Sequence, residues 1–125
     1  MTIDVKANRL KWIEALESGE FTPITKAMAE VDYGGKAVGH CCLGVATVVY
    51  AREHGLPIGY VNVDSAMACD IDIHCDEIAA GAFLPISVAA YFGITQDMSN
   101  QYVSANDYNG KYPIDLIREA LDDDS

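Results

Sequence analysis

Residues 41–54, CCLGVATVVYAREH, constrain this chain more than any other stretch, because as far as Tyr50 they are apolar on nearly every side. An element of that kind belongs at the centre of a domain. Val45, Thr47, Val48 and Val49 favour a strand, whereas the length of the segment favours a helix. Its ending decides for the helix. Arg52 and His54 suit the negative end of a helix dipole, Gly55 fits the left-handed cap position, and Pro57 stands where a helix cannot continue.

The other segments arrange themselves around this one. Residues 4–18 predict a helix, since Val5, Trp12, Ile13 and Leu16 fall within an arc of about 100° that also holds the stem of Arg9, and Gly19 supplies a stop. The Gly34-Gly35 pair separates 26–32 from 36–40 as the arms of a hairpin. PIGYVNVD (57–64) reads as a strand, and the regular alternation of CDIDIHCD (69–76) as a half-buried one, with 65–68 connecting them. A short helix follows over 84–92, with Pro85 near its first position and Gly93 as its stop. Another turn or two of helix is expected over 98–105, then a turn at Asn109-Gly110 and an amphipathic helix over 113–121 carrying Ile114, Leu116, Ile117 and Leu121. The acidic tail 122–125 is expected to fray. No repeat or linker interrupts this pattern, so residues 1–125 read as a single α+β domain, helix-rich with a small antiparallel sheet. A chain of 125 residues buries enough surface to need no covalent staples.

Charge narrows the choice of partners. Nineteen acidic against eight basic residues give a net charge of −11, which repels phosphate backbones and anionic membrane faces while leaving basic surfaces as partners. Direct nucleic-acid binding and membrane association are therefore not expected. No apolar run approaches the roughly 20 residues of a membrane span, and the first residues lack the apolar core of a secretory signal, so the expected location is intracellular. Under reducing conditions Cys41, Cys42, Cys69 and Cys75 are free thiols by default.

Several residues invite a chemical reading. Cys41 and Cys42 stand at a helix entry, where unpaired N–H groups stabilise a thiolate, and His40 beside them could act as a cation or base. The competing reading is packing, with Gly44 allowing close approach, and it is preferred because free cysteine is among the most buried residue types. Zinc is not expected: there is no C-x2-C pair, and strand alternation puts His74 and Cys75 on opposite faces. That same alternation lines up Asp70, Asp72, His74 and Asp76, followed by Glu77, as an acidic face that either meets a basic partner or is simply solvated. In SANDYNGKYP (104–113), Asn106 and Asp107 are expected to shape the turn, with one of them reaching an orphan amide elsewhere. Tyr91, Tyr102, Tyr108 and Tyr112 could line a pocket for a planar ligand. No phosphate-binding glycine loop, G-x-S-x-G or H-E-x-x-H is present, and no cofactor is expected.

RLKWIEALESGEF, HCCLGVATVVY, LPISVAAYFGI and SANDYNGKYPIDLIREAL, in that order, carry a family likeness. The chain resembles a group of small bacteriophage proteins with a W-[IV]-x-A-L-x-S-G start, a C-C-L-G-V turn, an L-P-x-x-V helix and a closing N-D. The matching residues include Trp12, Gly19, Cys41, Cys42, Leu43, Gly44, Leu84, Pro85, Gly93, Asn106 and Asp107, whereas the acidic face has no counterpart in that pattern. The resemblance implies a phage origin, hence the cytoplasm of an infected bacterium, and a compact fold. It implies no activity.

Three functions remain, in order of preference. The first is a binding protein that docks its acidic face on a host protein with a basic surface, as an inhibitor or anti-defence factor. The second is a small-molecule sequestering protein, oligomeric or not, with a tyrosine-lined pocket, and its acidity argues against nucleotide ligands unless Arg9, Lys26, Lys36, Arg52, Lys111 or Arg118 converge on one spot. The third is a cysteine- or metal-dependent hydrolase, and the balance leans away from an enzyme.

Overall fold

A computed structural model describes residues 4–73 and 78–123, without the side chains of 120–123. Helix α1 (Val5–Glu17) starts at Asp4, whose carboxylate accepts from the Ala7 N–H at 3.0 Å. It buries Asn8, Arg9, Trp12, Ile13 and Leu16, a stripe at helical spacing. Strands β1 (Ala29–Val31) and β2 (Ala37–His40) form the expected hairpin, antiparallel, with Ala29 opposite His40 and a bulge between Glu30 and Val31. Its turn is organised by the Asp32 carboxylate, which accepts from Gly34 and Lys36 N–H at 2.9 Å each. The first arm begins three residues later than the sequence predicts. Lys26 sits in the left-handed region at φ 67°, a conformation that cannot continue a strand.

Helix α2 (Cys42–Glu53) is the central element, buried at Cys42, Leu43, Gly44, Val45, Ala46, Thr47, Val48, Val49 and Ala51. It packs on α1, on the later helices α3 (Ile86–Phe92) and α4 (Gln96–Asn109), and on β2. Strands β3 (Gly59–Val61), β4 (Ala68–Asp72) and β5 (Ile78–Ala79) complete an antiparallel sheet, ordered β2-β1-β4-β3 with β5 also paired to β4. The domain is thus α+β. Cys69, Ile71 and Ile73 are buried on the inner side of β4, as the alternation predicts; Cys75 lies outside the described residues.

Two corrections concern the C-terminal third. Helix α4 is fourteen residues long, so Asn106 and Asp107 lie inside a helix rather than in a polar turn. Its polar residues conceal the helix from a periodicity argument, because two of its inward positions, Ser99 and Asn106, are polar and buried. Helix α5 (Ile114–Asp123) runs past 121 into the expected acidic tail.

Buried polar groups of α1 hold α3 in place. Arg9, 4% exposed, donates from Nε to the Phe92 carbonyl at 2.6 Å and from Nη2 to the Gly93 carbonyl at 2.7 Å, while Asn8 donates to Tyr91 O at 2.9 Å. The guanidinium thereby supplies donors to carbonyls that a helix C-terminus leaves unpaired, and it complements the dipole there. Arg9 is accordingly not available to a ligand.

Candidate functional site

The CCLG turn is the structural hub. Cys41 caps α2, its sulfur accepting from the Gly44 N–H at 3.4 Å, and its own N–H donates to Met28 O at 3.0 Å. Trp12 Nε1 donates to Cys42 O at 2.9 Å, and the Cys42 N–H donates to Asn106 Oδ1 at 3.1 Å. Asn106 Nδ2 donates to Ile24 O at 2.7 Å, and Asp107 Oδ1 accepts from Lys26 N–H at 3.0 Å. The sequence leads one of the pair to be expected at a distant amide, and both reach one. Together they tie α4 to the α2 entry and to the loop before β1, where Lys26 is held in its left-handed conformation.

The thiols are enclosed. Cys41 is 3% exposed and Cys42 0%; burial pushes the Cys41 thiol up to about 11 and the Cys42 thiol well above the ordinary range. A thiolate nucleophile needs the opposite environment. His40 gives the thiols no cation, because its imidazole is pushed down to about 4, chiefly by burial, with the Arg52 guanidinium adding to the effect and the Glu20 carboxylate opposing it. Among the described residues, no three His, Cys, Asp or Glu side chains are placed to hold a metal ion.

The tyrosines named from sequence do not share a pocket. Tyr102 is in the core, Tyr108 is exposed, Tyr112 donates to the His40 carbonyl at 2.8 Å, and Tyr91 packs edge-on against Tyr50 and His54. Of the acidic face, Asp70 and Asp72 are half-buried on the side of β4 opposite Cys69 and Ile71, and Asp70 accepts from Asn62 Nδ2 at 2.9 Å. His74, Asp76 and Glu77 lie outside the described residues.

What the structure assembles instead is a half-open cleft of about 400 Å³ where β2, the segment before β1, α2 and β3 meet. At its floor His40 Nε2 and the Tyr60 hydroxyl share a hydrogen bond of 2.9 Å. The imidazole, 6% exposed, is also wedged edge-on between Phe21 and Tyr60, with centroids 5.2 and 5.7 Å away. Register explains the convergence: His40 aligns with Ala29 and Ala29 with Cys69, while Tyr60 aligns with Ile71, so both rings stand on the buried side of the sheet. Phe21, Val38, Val48 and Ile58 give the cleft apolar walls, and Glu20, Lys36 and Arg52 its charged groups. Arg52 Nη2 lies 2.6 Å from Glu20 Oε1, and its guanidinium sits 5.4 Å from the centre of the Phe21 ring. The hydrogen bond to Arg52 holds the Glu20 carboxyl below its usual range.

The sequence places His40 beside the thiols as a cation or base and gives Tyr60 no role. The available signal was parity: an inward-facing tyrosine in a strand requires a partner for its hydroxyl.

The low affinity of His40 for protons has a measurable consequence. An imidazole in an unfolded chain titrates near 6.5, so between that value and about 4 the unfolded state binds a proton that the folded state excludes. Stability from this residue is complete above pH 6.5 and is lost as the pH falls, by about 2 kcal/mol at pH 4.5. Urea unfolding at pH 7 and 4.5 should show that loss on top of the carboxylate contributions, and His40→Gln should remove it. Equal pH slopes for both proteins would refute the assignment.

Fold and site together define a small α+β domain organised around a cysteine-capped helix, with a mixed polar and apolar cleft at one side. The family model described as "Domain of unknown function (DUF8296)" matches residues 1–120, and the chain belongs to that family. No curated protein and no solved structure matches it.

Proposed function

We propose that this protein binds and sequesters a small molecule in the His40–Tyr60 cleft. The observation that carries this reading is charge balance: in a chain of net charge −11, two cations, Lys36 and Arg52, outnumber the one carboxylate, Glu20, around a neutral imidazole and a tyrosine hydroxyl, whereas a second cleft balances Lys111 and Arg118 with Glu17 and Asp115. Concave sites with apolar walls and a few convergent polar groups are the common form of small-ligand pockets. The enclosed thiols weigh against hydrolysis by Cys41 or Cys42.

A second reading, docking of the acidic face on a basic host protein, draws support from Asp70 and Asp72 standing together on the outer side of β4. One experiment separates the two. Protein purified from host lysate at low salt is heat-denatured, and the released material is analysed by mass spectrometry. The cleft reading expects a small molecule that is absent from preparations of Val38→Trp, which fills the mouth of the cleft. A basic protein lost only from the Asp70→Asn/Asp72→Asn variant, with no small molecule, would favour docking and count against the cleft.

A further inference from the structure

Resting on the ligand-binding reading, we infer that the cleft selects a monoanion, a carboxylate or phosphodiester carried on an apolar body, and that the ligand's anionic group takes the place of Glu20 on Arg52. The charged groups of the cleft are Lys36, Arg52 and Glu20, so its walls carry one net positive charge at neutral pH. That local excess opposes the sign of the whole chain, whose net charge is −11. A single anionic group is matched there. A second would stand uncompensated in the field of an acidic protein.

Arg52 suits the exchange. It stands over the Phe21 ring, which orients the guanidinium, and its fork can present two parallel donors to a carboxylate or phosphate. Its present partner is easily replaced, because the Arg52 and Glu20 side chains are 55% and 50% exposed and an ion pair at such exposure contributes little. Glu20 lines both this cleft and a neighbouring depression, so on releasing Arg52 it stays at the rim and the net charge of the walls is unchanged. Phe21, Val38, Val48 and Ile58 would cover the apolar body of the ligand, while the Tyr60 hydroxyl and His40 are occupied with each other.

The test is an amide-resolved NMR titration at pH 7 with four probes: 3-phenylpropionate, its neutral primary amide, methyl phenyl phosphate as a monoanionic phosphodiester, and phenyl phosphate as a dianion. At least one monoanion is expected to shift Phe21, Val38, His40 and Tyr60 signals and to bind about tenfold tighter than the amide or the dianion. Whichever monoanion leads identifies the group as carboxylate or phosphodiester. Arg52→Gln should erase the monoanion's advantage over the amide, and Glu20→Gln should strengthen monoanion binding severalfold; both residues are exposed, so the variants keep the fold. Cleft shifts with equal affinity for acid and amide, a preferred dianion, or an indifferent Arg52→Gln would overturn the charge assignment and leave the cleft standing as a ligand site. Shifts located elsewhere, or none with any probe, would overturn both.

Discussion

Gly44→Ala is expected to destabilise the fold by more than about 3 kcal/mol, the upper end of what over-packing costs. On propensity alone the substitution should help, since alanine in a helix is favoured over glycine by up to about 1 kcal/mol. Here the sign reverses. A methyl on Gly44 would overlap the Met28 carbonyl oxygen, with the Met28 carbonyl carbon only 3.1 Å away. That oxygen cannot retreat freely, because it accepts the Cys41 N–H at 3.0 Å, and Met28 is itself fully buried. Relief therefore requires α2 to move away from the Met28 backbone, which opens the cysteine cap and the core together. Urea denaturation followed by far-ultraviolet circular dichroism reads the loss, and a change below 1 kcal/mol, or a gain, would mean that α2 does not approach the Met28 backbone as described.

The Asn106→Leu variant should lose about 3–5 kcal/mol. Leucine keeps the branched shape of asparagine but is bulkier, so over-packing adds to the loss of one buried and one part-buried partner at once. The Cys42 N–H, at 3.1 Å, loses its acceptor, and Ile24 O, at 2.7 Å, loses its donor. Each buried polar group left without a partner costs about 1–3 kcal/mol, and the fully enclosed position admits no water in compensation. Asn106→Asp separates the two bonds. Its carboxylate can still accept from Cys42 but faces the Ile24 carbonyl, so only the protonated acid satisfies both. Burial raises the folded-state pKa of such an acid above the unfolded value, and the stability it contributes is lost as pH rises. Asn106→Asp should thus be more stable at pH 5 than at pH 8 relative to the parent protein. Equal differences at both values would show that Asn106 does not serve both partners.

Legibility varied along the chain for identifiable reasons. The helix around Trp12 and β4 could be read because their burial is one-sided, and one-sided burial writes a period into the sequence; the hairpin could be read because Gly34-Gly35 marks its turn. Helix α4 could be read only over 98–105 and not to its full length, since its inward Ser99 and Asn106 are polar and Asn106 is satisfied by partners distant in sequence. Asn106 and Asp107 drew attention as capping-type residues, and the chemistry inferred for them, bonding to backbone, is what they do. Their partners, Cys42, Ile24 and Lys26, were beyond reach because they lie more than sixty residues away. The same holds for the cleft: Glu20, Lys36, His40, Arg52 and Tyr60 have no recognisable spacing, and sheet register and a helix end bring them together.

Local chemistry alone determined that a nearly all-apolar helix would occupy the centre, that the thiols would be packed rather than presented, and that the surface would be acidic. These follow from side-chain hydrophobicity, glycine and proline conformations and charge, which act at or near their own position. Tertiary structure decided which imidazole meets which hydroxyl, which carbonyl fills the space above Gly44, and where two scarce cations gather. Those are contacts between segments far apart in the chain, set by strand register and helix docking, and no residue pattern within a single segment encodes them.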